Sequence, residues 1–468
     1  MLGTSLPAFA YPFILAALLT GNATARAADL SGNESALSHG RFKQLAVYAP
    51  VGTPASFVLL LSGDEGWSGR VIELAQQLRQ RGAMVVGIDL REFEASLEAD
   101  GAECVFADGD LENLSHFVQA YYHLPSYLAP MLIGYSSGAS LAYAALAQAP
   151  RDTFASALSL GFCPAFKLQK PLCKGSGVKF SPAASGHGVE FLPIDSVGNP
   201  WVVMQGENDR RCPAGAAREF AAKVQGSAFV LLPQVDWPQL QAAFDSLAAH
   251  GASSAKPPSA PALGDLPIVE VPAKPGAPPA DSFAIIMSGD GGWAGLDKDI
   301  AAALAADGIA VVGLDSLRYF WSARTPEGLA ADTDRMIRYY LAHLNKQRVL
   351  LIGYSQGADV LPFAVNRLPQ ASRARVRLAA LLGLSEHALF EFHLSSWVSN
   401  SAGGRPTLPE VNRMTGMPVL CIYGEDEKDS LCPQLDAARF SVVKLKGGHH
   451  FDGDYAGLAR QILASATP

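Results

Sequence analysis

The residues with the clearest chemical meaning are Gly353-Tyr354-Ser355-Gln356-Gly357, a serine held between glycines in G-x-S-x-G spacing. An apolar run, residues 349–352, leads into it and a helix-compatible stretch, residues 358–365, follows. A strand, a sharp turn and a helix in that order make a nucleophile elbow, in which the serine hydroxyl projects above the edge of a sheet. A serine hydroxyl is a weak nucleophile at neutral pH, so a histidine must take its proton and a carboxylate must orient the histidine. In α/β-hydrolases the acid and then the histidine follow the serine along the chain. The histidine comes from Gly447-Gly448-His449-His450-Phe451, with His449 favoured because it directly follows the glycine pair and His450 close behind. His387 and His393 precede the acid strand and read as loop or helix-face residues.

After the apolar run 419–423 stand three candidate acids, Asp426, Glu427 and Asp429. The rest of the chain bears on the choice, because the sequence contains itself twice. Ser62-Gly63-Asp64-Glu65-Gly66-Trp67 answers Ser288-Gly289-Asp290-Gly291-Gly292-Trp293. Gly87-Ile88-Asp89 answers Gly313-Leu314-Asp315, Gly134-Tyr135-Ser136-Ser137-Gly138 answers the Ser355 elbow, and residues 202–207 answer 420–425. Four matched blocks in one order mean two copies of one domain. Asp209 and Asp429 each precede a Cys-Pro pair by the same spacing, Cys212-Pro213 and Cys432-Pro433, and on that match Asp429 is expected to be the acid. Asp426 then reads as a loop cap and Glu427 as a solvated residue.

Acyl transfer also needs two amide donors for the oxyanion. The amide of Gln356 is one, and the turn around Asp290 supplies the other. The Asp290 carboxylate would oppose a developing negative charge, so either it turns back to bond its own loop or it holds a cationic part of the substrate. The first copy keeps an elbow serine, Ser136, and an acid, Asp209, but reads Leu232-Pro233-Gln234-Val235-Asp236-Trp237 where the second has its histidines. His187 or His250 could serve Ser136 only by an unusual route, so this copy is expected to be catalytically silent.

The elements that position these residues are short apolar runs, in the second copy residues 283–287, 309–314, 349–352, 378–382, 419–423 and 441–445, separated by helical patterns such as 296–306. Runs apolar on both faces predict a parallel sheet covered by helices on both sides. The expected fold is a tandem duplication of the α/β-hydrolase fold, each copy a doubly wound, mostly parallel sheet. The expected boundaries are a leader over residues 1–27, a degenerate copy over 28–250, a linker over 251–263 rich in Pro, Ala and Ser, and the catalytic copy over 264–468.

At 468 residues, 49% of them apolar, two globular cores are expected, and a net charge of −8 with no basic run gives no support for nucleic-acid binding. An apolar stretch at 9–19, too short to span a bilayer, precedes Ala23, Ala25 and Ala27 in signal-peptidase spacing, which predicts export to the periplasm. The six cysteines fit an oxidising compartment. Cys421 and Cys432, alone in the second copy, are expected to pair. In the first copy Cys163 with Cys173 and Cys104 with Cys212 is the preferred connectivity of three. No C-x-x-C motif suggests a metal, and the chemistry needs no cofactor.

The second half resembles the AcvB/VirJ family of bacterial virulence proteins. The residues that carry the resemblance are Ser288 to Trp293, Leu317-Arg318-Tyr319-Phe320-Trp321, Gly353 to Asp359, Phe390-Glu391-Phe392-His393 and Gly448-His449-His450-Phe451-Asp452. The two-domain layout is similar to that of the longer AcvB-like members. The resemblance implies periplasmic hydrolysis of lysyl-phosphatidylglycerol by Ser355 with the His449/His450 pair, and an association with type IV secretion proteins. The substrate would then be an aminoacylated phospholipid reached from the membrane surface, with Tyr319, Phe320 and Trp321 as candidate lipid contacts. Two rivals remain: a binding or adaptor protein with a vestigial triad, and an esterase or thioesterase acting on another acyl group.

Overall fold

The computed structural model describes residues 37–99, 104–175, 177–183, 187–233, 237–254, 263–392 and 404–466. The expected leader lies outside them, as does His393. Two sheets carry the architecture. The first comprises β1 (Leu37–His39), β2 (Phe42–Tyr48), β3 (Ser56–Leu61), β4 (Ala83–Ile88), β5 (Met131–Tyr135), β6 (Ser156–Leu160), β7 (Ser196–Gly206) and β8 (Gln225–Leu232), in spatial order β1-β2-β4-β3-β5-β6-β7-β8. The second comprises β9 (Ile268–Val271), β10 (Ser282–Met287), β11 (Val311–Leu314), β12 (Arg348–Tyr354), β13 (Val376–Leu382), β14 (Val419–Gly424) and β15 (Ser441–Leu445), in the order β9-β11-β10-β12-β13-β14-β15.

In the second sheet only β9 runs antiparallel, and every other pairing is parallel. Every residue of β10 is buried, as expected of a strand covered on both faces. The chain leaves β10 for β11 on one side and later returns to β12 on the other, so the order reverses between these neighbours. In a doubly wound sheet such a reversal opens a crevice at the carboxyl ends of the strands, where ligands bind. The first sheet repeats the device with β3, β4 and β5. The protein is therefore a tandem pair of α/β-hydrolase folds, packed together within one compact unit covering residues 36–468.

Three expectations change. Helix Trp237–Ser254 carries regular structure into the expected linker, and Leu263 at the linker's far end is buried. Tyr319 and Phe320 are fully buried, and Trp321 is half-buried against the first copy, its Nε1 donating to the Leu124 carbonyl at 2.7 Å, so this aromatic run forms core and domain contact rather than a lipid-facing surface. The first copy's disulfides are Cys104–Cys173 and Cys163–Cys212, not the expected pairs. Cys163 and Cys212 lie in loops that leave the ends of the paired parallel strands β6 and β7. Cys104 and Cys173 flank a parallel bridge between Val105 and Leu172. Cys421 is bonded to Cys432 with their Cα atoms 5.6 Å apart, and no cysteine is free.

Candidate active site

Ser355 caps helix Gln356–Arg367 with φ 52° and ψ −120°, a conformation that non-glycine residues rarely hold and that marks an elbow. Ser136 repeats it at φ 57° and ψ −120°. The flanking residues must be glycines. A Cβ added to Gly353 would lie 2.3 Å from the Gly357 carbonyl oxygen, and one added to Gly357 would lie 2.1 Å from that of Met287. The elbow geometry thus follows from the motif in both copies and does not by itself separate them.

The turn after β10 stands beside the nucleophile. Gly292 donates its amide to the Gly289 carbonyl at 3.1 Å, with Asp290 and Gly291 at the tip, and a Cβ on Gly289 would lie 3.4 Å from that of Ser355. The first copy builds the same turn, Gly66 donating to Gly63 at 2.9 Å with Asp64 at the tip. Supports for this turn that the sequence reading passed over lie within the matched blocks. The hydroxyl of Ser288 accepts from the Ser316 amide at 2.9 Å, as Ser62 accepts from Leu90 at 2.9 Å. Asp89 accepts from the Trp67 amide at 2.9 Å, and Asp315 at the equivalent position feels the Trp293 amide. The Gln356 amide opens its helix, where amides lack intrahelical partners. Its side chain donates to the Leu389 carbonyl at 3.2 Å.

The carboxylate that meets the histidine is Glu427. His449 Nδ1 is hydrogen-bonded to Glu427 Oε1, and Glu427 Oε2 accepts the Gly424 amide at 2.6 Å. Asp429, the expected acid, is exposed two residues further on, and Asp426 is exposed as well. The reason is a tight turn at the end of β14, closed by the Glu427 amide on the Gly424 carbonyl at 3.1 Å, which folds the third residue after the strand glycine back over the strand end. Asp209 likewise stands third after Gly206. A Cβ built on Gly383 would lie 3.4 Å from Glu427 Oε1, and one built on its counterpart Gly161 would lie 3.4 Å from Asp209 Oδ2. The two extra residues of the second copy therefore follow the acid. Counting from the strand glycine without a gap would have found it.

His449 sits against the elbow. Its ring centroid is 5.2 Å from that of Tyr354, and a Cβ on Gly383, the residue after the Leu382 carbonyl that holds the Ser355 amide at 2.9 Å, would come within 2.6 Å of its Cε1. Ser355 Oγ and His449 are not hydrogen-bonded to each other here; in ligand-free sites such bonds are often long and tighten when substrate binds. Burial opposes charge on His449, but the hydrogen bond it donates to Glu427 and the charges of Glu427, Asp290 and Asp359 outweigh it and hold the imidazole above its ordinary value. Burial likewise resists ionisation of Glu427, and the bond to His449 and the Gly424 amide overcome it, so this carboxyl lies below the usual range. His450 has its Nδ1 3.2 Å from the Tyr354 hydroxyl, and the protein packed around part of its ring, with the nearby charge of His449, lowers its pKa.

Asp359, one helical turn beyond Ser355, is a further functional group that the motif contained without revealing. It is buried, accepts the Ser385 amide at 2.7 Å and the Ser385 hydroxyl at 2.5 Å, and is pushed up to about 7 by burial. It ties the loop bearing Gly383 to the nucleophile helix.

The first copy differs where the chemistry would occur. Asp209 spends its oxygens on the Gln205 side chain at 3.0 Å and on the amides of Arg211 and Cys212 at 2.9 and 3.0 Å. The Arg211 guanidinium is ion-paired with Asp64. Residues 234–236, where the histidines would stand, lie outside the described residues. Between the copies is a cavity of about 360 Å³, lined by Glu112 and Tyr127 of the first and by Trp293, Lys298, Asp315 and Arg318 of the second. Neither Ser355 nor His449 lines it, so it lies behind the turn rather than over the nucleophile.

With this geometry in place, the profile of the VirJ family, described as bacterial virulence protein, matches residues 55–169 and 281–467. The chain belongs to the VirJ family. The match falls on both copies, so the duplication is one of VirJ-type domains. No curated protein matches. Among solved structures, this VirJ-family protein is similar to a serine hydrolase without lid from Xanthomonas campestris, at 15% identity over 43% of this chain and 90% of that one with a TM-score of 0.30. It is also similar to Est1E from Butyrivibrio proteoclasticus, at 15% identity over 42% of this chain and 93% of that one, TM-score 0.31. A third is YbtT, a type II thioesterase of the yersiniabactin pathway, at 17% identity over 43% and 99%, TM-score 0.30.

Proposed function

We propose that this protein is a periplasmic serine hydrolase that cleaves an aminoacyl ester, with lysyl-phosphatidylglycerol as substrate and lysine and phosphatidylglycerol as products. The observation that carries the reading is the hydrogen-bonded Glu427–His449 pair beside the Ser355 elbow, where the first copy has no histidine at the matching place in its sequence. Ser355 Oγ adds to the acyl carbon and its proton passes to His449 Nε2, since Nδ1 is committed to Glu427. The oxyanion is received by the amide of Gln356 and by that of Asp290, which leaves its own carboxylate to do so. Collapse breaks the acyl–oxygen bond, and the imidazolium returns its proton to the departing glycerol hydroxyl of the lipid. Water then attacks the lysyl-enzyme, giving its proton to His449, and free lysine leaves as Ser355 recovers its proton.

The complete pairing of the six cysteines supports an oxidising compartment. Purified protein incubated with vesicles containing lysyl-phosphatidylglycerol should release lysine, and Ser355→Ala protein should not. No release by folded protein, or equal release by both, would sink the proposal.

A further inference from the structure

The two copies place an aspartate at the same spot and treat it differently. Asp64 and Asp290 each occupy the tip of the turn beside the elbow, next to a glycine whose Cβ would lie 3.0 Å from that of Ser136 in one case and 3.4 Å from that of Ser355 in the other. In the first copy this carboxylate is covered by the guanidinium of Arg211. The second copy has Asp429 or Leu431 where Arg211 would fall, depending on where the two extra residues are placed, and among the described residues no Lys or Arg pairs with Asp290. Asp290 instead stands at an exposed turn tip, where its carboxylate accepts from its own amide and that of Gly291 within Coulomb range of His449, and loss of surrounding water raises its pKa. From the first copy, Glu112 lines the cavity beside Gly291, and burial with the charges of Asp108 and Asp290 pushes it up to about 8.

A carboxylate that has backbone amides but no cation for a partner, standing beside an oxyanion hole, opposes the charge that develops there. The silent copy shows what this turn accepts as a counterion: a cation reaching over the elbow. In an aminoacyl ester the α-ammonium is attached to the carbon next to the scissile carbonyl, so with the carbonyl oxygen in the hole the ammonium falls beside the tip of the turn. We infer that Asp290 binds the α-ammonium of the scissile aminoacyl group, taking the cation that Arg211 supplies to Asp64 in the silent copy. The inference rests on the hydrolase reading above and sharpens it. The feature read is common to every aminoacyl ester, so this contact selects aminoacyl over simple acyl groups without distinguishing lysine from alanine.

The test compares alanyl p-nitrophenyl ester with its N-acetyl counterpart, in which the α-nitrogen is an uncharged amide, using the full chain. The ratio of kcat/KM for the free amine over the blocked one should be about ten- to a hundred-fold, the worth of one charge-assisted contact. Asp290→Asn should bring that ratio near unity, and Asp290→Glu should restore part of it. A wild-type ratio near unity, or one unchanged in Asp290→Asn, overturns the inference while leaving the hydrolase reading intact. Failure to cleave either ester would remove both. Because the readout is a ratio within each protein, a general loss from a damaged turn does not imitate the expected result.

Discussion

The two elbows of this protein have the same backbone and different surroundings. Ser136 and Ser355 share φ and ψ to within a few degrees, each follows a buried parallel strand, and each has a glycine-bounded turn with an aspartate at its tip. What separates them lies in two loops from the far end of the sheet. In the second copy the loop after β14 presents Glu427 to His449. In the first, the loop after β7 turns its acid onto its own amides and sends Arg211 across to Asp64. The crosslinks differ in the same place. Cys163 joins Cys212 between two loops of the first copy, whereas its counterpart Ser385 hydrogen-bonds Asp359, leaving Cys432 to pair with Cys421 in the adjacent strand. The strained serine belongs to the strand-turn-helix and the carboxylate–histidine pair belongs to the loops, so a fold can keep one while the other varies.

The sharpest way to break this comparison is to remove each serine. Ser355→Ala should lower turnover by about 10⁶, the scale of losing a triad nucleophile, while Ser136→Ala should leave it within about two-fold. Circular dichroism and melting curves on both variants guard against misfolding at a glycine-rich turn. Loss of activity in well-folded Ser136→Ala protein with Ser355→Ala unaffected would reverse the assignment of the two copies.

A second comparison sets Glu427 against Asp429. Glu427→Gln should reduce kcat by about 10⁴, because the amide no longer stabilises the imidazolium or fixes the tautomer, and Asp429→Asn should be nearly silent. The pH profile adds a sign. His449 acts as a base only when neutral, and its pKa is raised, so kcat/KM should fall as pH drops through a value above that of a free imidazole. Removing the carboxylate removes the main raising influence, so the acid limb should move to lower pH in the residual activity of Glu427→Gln. An unmoved limb, or a large loss in Asp429→Asn, would return the acid to the position first expected.

That first expectation shows how far the sequence could be read. Strand runs, the duplicated blocks and the elbow were legible because they depend on local hydrophobic pattern and turn chemistry. Matching the two copies on their Cys-Pro pairs points to Asp429, whereas the length of chain between the strand end and the carboxylate that meets His449 is fixed by the turn on Gly424. The first-copy disulfides and the burial of Tyr319 and Phe320 were illegible for another reason. They depend on which strand ends lie side by side and on packing between elements remote in sequence, and neither leaves a local signal.

The crosslinks offer a third, smaller test. The Cys104–Cys173 bond spans 69 residues and Cys421–Cys432 spans 11, so chain entropy assigns them about 4 and about 3 kcal/mol respectively. Replacing both cysteines of either pair with alanine should lower the melting temperature. Only the Cys421–Cys432 variant should also lower kcat below its own melting transition, because that bond holds the loop following Glu427. Equal kinetic effects from the two pairs would mean that the acid loop does not depend on its crosslink.

The smallest expected effect comes from Arg211→Ala, which uncovers Asp64 in the first copy. Both partners are substantially exposed, the arginine 52% and the aspartate 38%, so the freed carboxylate can be hydrated. Exposed ion pairs contribute about 0–1 kcal/mol, which corresponds here to a melting shift of at most about 3 °C. The Arg211 amide, which holds Asp209, survives the substitution, so the loop should keep its course. Uncovering Asp64 supplies no general base, so Ser136 should gain no reactivity, and a fluorophosphonate probe should label the Ser355→Ala, Arg211→Ala double variant no more than Ser355→Ala alone. Labelling of Ser136 in the double variant, located by peptide mass spectrometry, would show that the arginine and not the missing imidazole keeps the first elbow silent.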